Sequence, residues 1–335
     1  MDMMEFQGIN SFLVGMAKTL IEDGREREIR GQICYELPYP VICKITNPRA
    51  RIVTITERKW NPVLPYVESL WLGMGHNDLA MPAHYLERLS EFSDDGITLR
   101  GAYGPRFRYW NGGNSDYNIG QDYSSNYSGG IDQFKFIIDL LQKDPNSRQA
   151  IITIGDPAKD CFDSSGEIKE TKDRPCTRNI QFIINDGKLD VFVHMRSNDF
   201  MWGASGVNIF NYTFLQEIFA GILGVDVGVY YHMANNFHYY ERHKSKVEKI
   251  ANVVDFEDAS HRYSLSFNSL QDYDNNIKKL ANYEVQLRNG DLDVILDLES
   301  DFASDWGNAI LSYYQEYKGQ AKFYNSVLNK IINEN

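Results

Sequence analysis

The sequence predicts an α+β domain, because strand patterns and helix patterns both occur along its 335 residues. Apolar positions alternate from 188 to 195, which predicts a strand with one buried face. Two β-branched runs, 41–46 and 52–56, flank an Asn-Pro-Arg turn and predict an antiparallel pair. Apolar residues at helical spacing predict helices over 8–23, 63–72, 132–141, 209–223, 270–287, 306–317 and 323–332. The charged run 22–30 is expected to be a solvated turn, and no internal repeat is apparent.

The bulk composition is typical of a soluble globular protein, with 43% apolar and 24% charged residues. The formal net charge is −12, from 46 acidic and 34 basic residues. This balance speaks against broad binding to nucleic acids or membranes, which needs a basic face, but it allows a small anionic substrate. Neither a signal peptide nor a stretch of about 18 apolar residues is apparent, so we expect a cytoplasmic protein.

Four cysteines, Cys34, Cys43, Cys161 and Cys176, show neither metal-ligand spacing nor a dense disulfide framework. We therefore expect a reducing compartment and no bound metal. Cys176 stands out because an arginine, Arg196, follows the predicted strand that comes next. A thiolate is a soft nucleophile, an arginine fork fits a phosphate, and a nearby arginine favours the thiolate over the thiol. The alternative is a buried structural cysteine and a surface arginine.

Four short motifs occur in a fixed order through the second half of the chain. They are Pro-Cys-x(4)-Gln-Phe at 175–182, Arg-Ser-x-Asp at 196–199, Gly-x(4)-Asn at 203–208 and His-x-Tyr-x-x-His at 238–243. Together they resemble the thymidylate synthase superfamily, which holds thymidylate synthases and pyrimidine nucleotide hydroxymethylases. The resemblance implies one-carbon transfer from 5,10-methylenetetrahydrofolate to C5 of a pyrimidine nucleoside monophosphate, after a cysteine adds to C6 of the base.

The resemblance also implies a role for each matching residue. The nucleophile would be Cys176, and the folate would face Asp199. Substrate contacts would come from Arg196 and Ser197 to the phosphate, Asn208 to the base edge, and His238 and Tyr240 to the sugar hydroxyl.

Three upstream segments carry further parts of the resemblance. A Glu-x-x-Trp pair begins at Glu68, which would organise water and move protons near the base. The segment 103–110 resembles a Tyr-Gly-x-x-Trp-Arg-x-Trp pattern in which Phe107 replaces the first tryptophan. The resemblance implies that Tyr103 is a catalytic residue and that Phe107 and Trp110 lie on the folate side. The segment 111–130 that follows is rich in Gly, Asn, Ser and Tyr, and its length predicts mobility.

Two further arginines are candidates for the substrate phosphate. An Asp-Gln helix and a Pro-x-Ser-Arg turn place Arg148 where the family sends an arginine across a dimer interface, and the second arginine usual in the family is Gln149 here. An arginine on a mobile N-terminal loop would be Arg30, with Arg25 and Arg27 as rivals and a plain surface role as the alternative.

The family implies a three-layer fold with a mixed sheet and flanking helices, assembled as a homodimer through the sheet. The motifs assign residues 1–243 to a catalytic domain. Residues 244–335 are predicted to be a helical extension packed on the same domain, in place of the strands and apolar tail that end the synthases.

Several departures from the synthase pattern favour 5-hydroxymethylation. Synthases have histidine where Thr177 stands, tryptophan at Phe107 and aspartate at Asn236, and the apolar tail that closes their site is missing. A wetter site lets water add to the exocyclic methylene, whereas a dry site lets folate deliver hydride. The alternatives are thymidylate synthase activity and, from a different class, a non-catalytic nucleotide-binding homologue.

The base is uracil or cytosine. An asparagine offers a donor and an acceptor, as uracil requires, so Asn208 favours dUMP over dCMP. The segment that ends at Asn208 is one residue longer than in the family, so the assignment requires an insertion, and Asn211 is the competing candidate.

Overall fold

The computed structural model describes residues 3–113, 116–117, 130–264, 266–314 and 321–333. Its strands are β1 (Met4–Phe6), β2 (Arg25–Ile29), β3 (Gln32–Glu36), β4 (Val41–Ile45), β5 (Ile151–Thr153), β6 (Thr177–Asn185), β7 (Lys188–Met195), β8 (Asn198–Asp199), β9 (Asp226–Ala234) and β10 (Phe237–Tyr240). Its α-helices are α1 (Ile9–Asp23), α2 (Leu64–Gly73), α3 (Ala80–Tyr85), α4 (Tyr103–Arg108), α5 (Gln133–Lys143), α6 (Pro157–Asp160), α7 (Ile209–Leu223), α8 (Lys244–Ala251), α9 (Leu270–Arg288), α10 (Asp301–Leu311) and α11 (Ser326–Asn333).

A six-stranded mixed sheet forms the centre of the fold, in the order β1-β4-β9-β7-β6-β5. The pairs β1–β4 and β9–β7 are parallel, and the other neighbours are antiparallel. The apolar helix α7 packs on β7 and β9 and is buried along almost its whole length. A mixed sheet with flanking helices, as predicted, is therefore confirmed.

A second sheet, which the sequence did not predict, has the order β2-β3-β10-β8 and is also mixed. Its strand β10 carries the His-x-Tyr motif and runs parallel to β8, with His238 opposite Asp199. The charged run expected to be a turn is the edge strand β2, which pairs with β3 and places Arg27 in a 2.7 Å ion pair with Glu36. An edge strand tolerates such charge because one side of it remains in water.

The predicted antiparallel pair at 41–46 and 52–56 is wrong. Residues 51–55 form no strand, whereas β4 pairs with β1 and β9 instead. The amide of Thr54 donates to the side chain of Asn10 on α1, at 3.0 Å, and the buried guanidinium of Arg51 binds Glu217. Hydrogen bonds to helices therefore satisfy this segment, where the sequence pattern suggested a partner strand.

The Gly-rich passage before α7 is a π-helix, Phe200–Asn208. A π-helix has i→i+5 hydrogen bonds and a wider turn than an α-helix, which is how an inserted residue is commonly accommodated. Arg58 Nε donates to Ser205 Oγ at 2.9 Å, and Trp60 Nε1 donates to Gly206 O at 2.9 Å. These two side chains brace the widened turn.

The C-terminal helices pack against the body of the protein. Trp306 on α10 is fully buried and donates through Nε1 to the carbonyl of Tyr66, at 2.8 Å. Asp274 on α9 binds Arg108 at 2.8 Å. Helix α10 begins at Asp301, five positions before the predicted start, because Ser300 caps it by accepting from Ala303 N.

In the described ranges no helix is both long and apolar enough to cross a bilayer.

Candidate active site

The nucleophile candidate Cys176 lies just before β6, and the pairing of β6 with β7 brings it beside Arg196. Thr177 is opposite Met195 in this pairing, and the amide of Arg196 donates to the carbonyl of Cys176 at 2.8 Å. The hydroxyl of Tyr103 accepts from the amides of Cys176 and Thr177, at 3.2 Å each. The backbone at Cys176 is thus held by α4 and by the residue that follows β7, which are far apart in sequence, and the side chain of Cys176 remains partly exposed.

Within the described residues, the arginines near Cys176 stand out because no carboxylate forms an ion pair with them. Arg196 donates to the carbonyls of Pro175 and Arg174, at 3.0 and 2.9 Å. In the described part of the chain, none of Arg148, Arg174, Arg178 and Arg196 forms an ion pair. In a chain with an excess of acids, this leaves a local positive charge available to an anion.

The charge on the thiol depends on opposing effects. Burial raises the pKa of Cys176 above its ordinary value, while Arg196 and Arg178 act to lower it and Asp173 and Asp199 to raise it. The expected help from arginine is present, but desolvation outweighs it. The arginines alone therefore do not offset the cost of burying a thiolate at Cys176.

Glu68 on α2 belongs to a polar network beneath the thiol. Burial raises the pKa of Glu68 to about 7, and a hydrogen bond from Asn211 acts in the opposite direction. Asn211 Oδ1 also accepts from Ser69 Oγ, at 2.9 Å. Tyr212, next in sequence, shares a hydrogen bond with the hydroxyl of Thr177 and lies within electrostatic range of Glu68. The side chain of Asn211 is thus engaged with the carboxylate.

Asn236 connects the two sheets at the site. Its Oδ1 accepts from Ser197 Oγ at 3.3 Å and pairs with His238 Nδ1 at 2.8 Å, while its Nδ2 donates to Glu36 at 2.7 Å. The ring of His238 lies 5.4 Å from that of Tyr240, edge to face. Ser197, His238 and Tyr240, predicted to bind one nucleotide, are therefore brought together.

Asp199 caps the π-helix and lies near most of the predicted site. Its Oδ1 accepts from the amides of Met201 and Trp202, at 2.7 and 2.9 Å. Its charge acts on Cys176 and Tyr240 as well as on His238 and His243. Trp202, partly exposed on the first turn of the π-helix, is an aromatic residue near Asp199 that the motifs did not indicate.

Asn208 ends the π-helix and belongs to a buried hydrogen-bond relay (Asn208, Asn198, His232 and Tyr230). Asn198 Nδ2 donates to Asn208 Oδ1 at 2.8 Å, Asn198 Oδ1 pairs with His232 Nε2 at 3.0 Å, and His232 Nδ1 pairs with the hydroxyl of Tyr230 at 3.0 Å. Sequence reasoning missed the last three residues. The only available signal was the position of Asn198 inside the Arg-Ser-x-Asp motif.

Four predicted residues lie at the edges of this group. Arg30 occupies the turn between β2 and β3 with φ of 53°, and Arg148 is exposed just before β5. Phe107 is 1% exposed and packs in the core against Phe134. Trp110 is partly exposed and pairs through its backbone with Ile131. Most of the segment predicted to be mobile, residues 114–115 and 118–129, lies outside the described residues.

No three His, Cys, Asp or Glu side chains within the described ranges come together as metal ligands would.

The chain is similar to known phage and bacterial proteins. A deoxyuridylate hydroxymethyltransferase of Bacillus phage SP01 is 34% identical over 222 residues, covering 66% of this chain and 54% of the relative. One of Pseudomonas phage M6 is 33% identical over 235 residues, covering 69% and 60%. A thymidylate synthase of Oenococcus oeni is 27% identical over 193 residues, covering 58% and 54%. The chain thus spans little more than half the length of these relatives.

The profile of the thymidylate synthase family matches residues 14–290, which extends past the end of α9. This match covers most of the chain and includes every candidate residue described above. The protein belongs to the thymidylate synthase family.

Proposed function

We propose that the protein transfers a one-carbon unit from 5,10-methylenetetrahydrofolate to C5 of dUMP and releases 5-hydroxymethyl-dUMP. The observation that carries the proposal is the meeting of Cys176, Tyr103 and Glu68 through the network of Thr177 and Tyr212. A nucleophile, its supporting hydroxyl and a carboxyl group with a pKa of about 7 are the groups this chemistry needs. The alternatives are the same reaction on dCMP and thymidylate synthase activity.

We assign two of the steps to groups of this chain, the addition at C6 to Cys176 and the activation of water to Glu68. The Cys176 sulfur adds to C6 of the base, which turns C5 into a nucleophile for the methylene carbon of the folate. Loss of the C5 proton and departure of the folate amine leave an exocyclic methylene. Glu68, as a carboxylate, takes a proton from water while the water oxygen bonds to that methylene. Elimination of the thiol from C6 then restores the aromatic base and the enzyme.

The choice of hydroxymethyl over methyl rests on the residue after the nucleophile and on the relatives. Thr177 is smaller than a histidine, and its hydroxyl bonds to Tyr212, which lies within electrostatic range of Glu68. We infer that the smaller side chain lets water reach the exocyclic methylene. Two relatives named deoxyuridylate hydroxymethyltransferases are 33–34% identical, against 27% for the one named thymidylate synthase. Both observations favour the addition of water.

Arginines that form no ion pair with the described carboxylates support a phosphate site. Arg196 is exposed beside Cys176, and Ser197 follows it with a hydroxyl that is bound only to Asn236 in the described residues. We assign the nucleotide phosphate to these two residues, helped by Arg30 from the hairpin turn. The folate is assigned to Asp199 and Trp110, with Phe107 behind them in the core.

A homodimer completes the proposal. The face of the central sheet opposite α7 carries Phe192 and Tyr231, whose rings stack at 4.4 Å, and exposed isoleucines at Ile42 and Ile151. An apolar sheet face of this kind is expected to be covered by a partner. Arg148, exposed at the edge of the sheet, would then reach the partner's phosphate. The three-layer arrangement and the boundary at residue 243 stay predictions.

The deciding experiment supplies dUMP and methylenetetrahydrofolate and identifies both products. We expect the nucleotide to gain CH₂O, with tetrahydrofolate formed and little absorbance change from dihydrofolate. A gain of CH₂ with stoichiometric dihydrofolate would show thymidylate synthase activity instead. Failure to release tritium from 5-tritiated dUMP or dCMP would favour the non-catalytic homologue, because C5 exchange requires addition of Cys176 to C6.

A further inference from the structure

In the relay that ends at Asn208, the donor and the acceptor of each hydrogen bond are fixed. Tyr230 is fully buried, and its hydroxyl makes one hydrogen bond in the described part of the chain, to His232 Nδ1. A buried phenol must donate its proton, so Nδ1 is the acceptor. A neutral imidazole has one N–H, which must then lie on Nε2. Burial lowers the pKa of His232 to about 4, so the ring is neutral at pH 7.

The same direction passes through both asparagines. Because Nε2 of His232 donates, the atom of Asn198 that faces it is the carbonyl oxygen, at 3.0 Å. The amide nitrogen of Asn198 is then the atom that faces Asn208, and it donates to Oδ1 at 2.8 Å. The orientation of the Asn208 side chain therefore follows from a hydroxyl three residues away along the relay.

This orientation leaves the Nδ2 group of Asn208 for a ligand. Nδ2 makes no hydrogen bond with the described residues, yet it is not among the side-chain atoms sealed from solvent without a partner. The neighbours of Asn208 place it at the active site. Asn198 adjoins Asp199 in sequence. Asn211, one turn after Asn208, forms a hydrogen bond with Glu68.

We propose that the relay of Tyr230, His232 and Asn198 determines base specificity by presenting the NH₂ group of Asn208 to the nucleotide. An NH₂ group donates to a carbonyl oxygen, as at C4 of uracil, and opposes the amino group of cytosine. The second lone pair of Asn208 Oδ1 can accept from N3–H of uracil, which cytosine lacks. The inference rests on the proposed function and deepens it, since it selects dUMP over dCMP.

Gly203 provides independent support. A Cβ at this position would lie 2.4 Å from Asn198 Nδ2 and 2.7 Å from Asn208 Oδ1. Any larger residue would force the two amides apart, so the glycine preserves the contact that transmits the orientation. The four residues of the relay are 0–8% exposed. If a substitution broke a hydrogen bond of the relay, water could therefore not readily replace it.

The sharpest test is Asn198→Asp, which is predicted to shift the base preference from dUMP towards dCMP. A carboxylate has no N–H, so it would accept from both His232 Nε2 and Asn208 Nδ2. Asn208 would then present its carbonyl oxygen to the base, which suits the amino group of cytosine. We expect the ratio of kcat/KM for dUMP to that for dCMP to fall at least about tenfold, the effect of one hydrogen bond, with a gain on dCMP.

Tyr230→Phe covers the case in which the buried carboxylate prevents folding. Without the hydroxyl, neither tautomer of His232 is preferred, so both orientations of Asn208 become accessible and the ratio should fall towards unity. Tyr85→Phe is the matched control, because it also removes a buried hydroxyl, which bonds to Glu284 at 3.1 Å far from the relay. Tritium release from the two 5-tritiated nucleotides measures each ratio.

The outcomes separate the two proposals. If the wild type releases tritium from neither nucleotide, the proposed function is wrong and the inference falls with it. If the wild type prefers dUMP but Tyr230→Phe keeps the ratio of the Tyr85→Phe control, the proposed function stands and the relay is overturned. A wild-type preference for dCMP would also overturn the relay.

Discussion

The hydroxyl oxygen of Tyr103 accepts a 3.2 Å hydrogen bond from the backbone amide of Cys176, which is 73 positions away in sequence. It accepts the amide of Thr177 at the same distance, so one side chain holds both peptide groups beside the nucleophile. The first residue of α4 therefore determines where the sulfur lies.

Tyr103→Phe should lower kcat by roughly 10- to 100-fold, because two amides lose their acceptor and each unsatisfied group costs about 1–3 kcal/mol. The nucleotide Kd should change much less, because binding rests on arginine contacts. Steady-state kinetics and equilibrium binding of dUMP test this split. Tyr313→Phe, which removes a hydroxyl bound to His84 O, should keep wild-type activity. Equal losses in kcat and affinity would contradict a positioning role.

Cys176→Ser should abolish turnover while leaving the nucleotide Kd within about tenfold, because the phosphate contacts remain. The exposed Cys161 offers the control, and Cys161→Ser should be fully active. Cys34 and Cys43 are buried, so they are better replaced by alanine than by serine. Turnover by Cys176→Ser at the wild-type rate would end the proposed mechanism.

The pH dependence of turnover should follow Glu68. The carboxylate is the form that accepts a proton from water, and burial raises the pKa of Glu68 to about 7. The rate should therefore rise as pH increases through about 7 and level off above it. Glu68→Gln should remove this dependence and lower the rate by about 10²–10⁴, as for loss of a general base.

The stability of the protein should show the opposite trend. The unfolded chain releases the Glu68 proton near pH 4.5, the ordinary pKa of a glutamate, whereas the folded protein keeps this proton to a higher pH. This contribution is present below pH 4.5 and is lost as pH rises through about 7. Urea unfolding at several pH values should show it in the wild type and in the exposed control Glu87→Gln, but not in Glu68→Gln. An unchanged pH dependence in Glu68→Gln would contradict the assignment.

Mixing two inactive variants tests whether Arg148 acts across a dimer. If it does, a mixed dimer of Cys176→Ser with Arg148→Ala contains one intact site, and equal mixing should restore about one quarter of wild-type activity. Cys176→Ser mixed with Glu68→Gln should restore nothing, because the structure places both residues in one protomer. Restoration by neither pair would show that Arg148 serves its own chain or no site.

Trp306→Ala should reduce the free energy of unfolding by about 3–5 kcal/mol, as for a large side chain removed from a core. Trp306 is fully buried, packs on Phe214 and binds the carbonyl of Tyr66, so the C-terminal helices and α2 should unfold together. Tyr324→Ala, at a side chain 56% exposed, is the control and should cost little. Two separate urea transitions would show an independent C-terminal unit.

Short motifs in the sequence were enough to indicate the family and the candidate site residues. The nucleophile, the arginine after β7, Glu68 and Asn208 each sit in a short motif whose residue types suit one reaction. Thr177 and Asn236 could be recognised as departures because each lies at a known offset from such a motif. The partners Tyr212, His232 and Tyr230 could not, because they join the site through contacts between distant segments.

The one wrong pair of strands has the same origin. Residues 52–56 have the composition of a strand, but Asn10 on α1 satisfies the amide of Thr54. The edge strand β2 was missed for the converse reason, since its charges resemble a turn until β3 is paired with it. Hydrogen-bond partners far along the chain decided both segments.

The sequence by itself determined the family, the candidates for the reacting residues and most helices, because these depend on residue type and short spacing. Only the tertiary structure decided how the groups act. Burial raises the pKa of Cys176 by more than the nearby arginines lower it, and burial also raises the pKa of Glu68 to about 7. The direction of the amide of Asn208 is set by a tyrosine on β9, since a buried hydroxyl can donate only where packing places an acceptor.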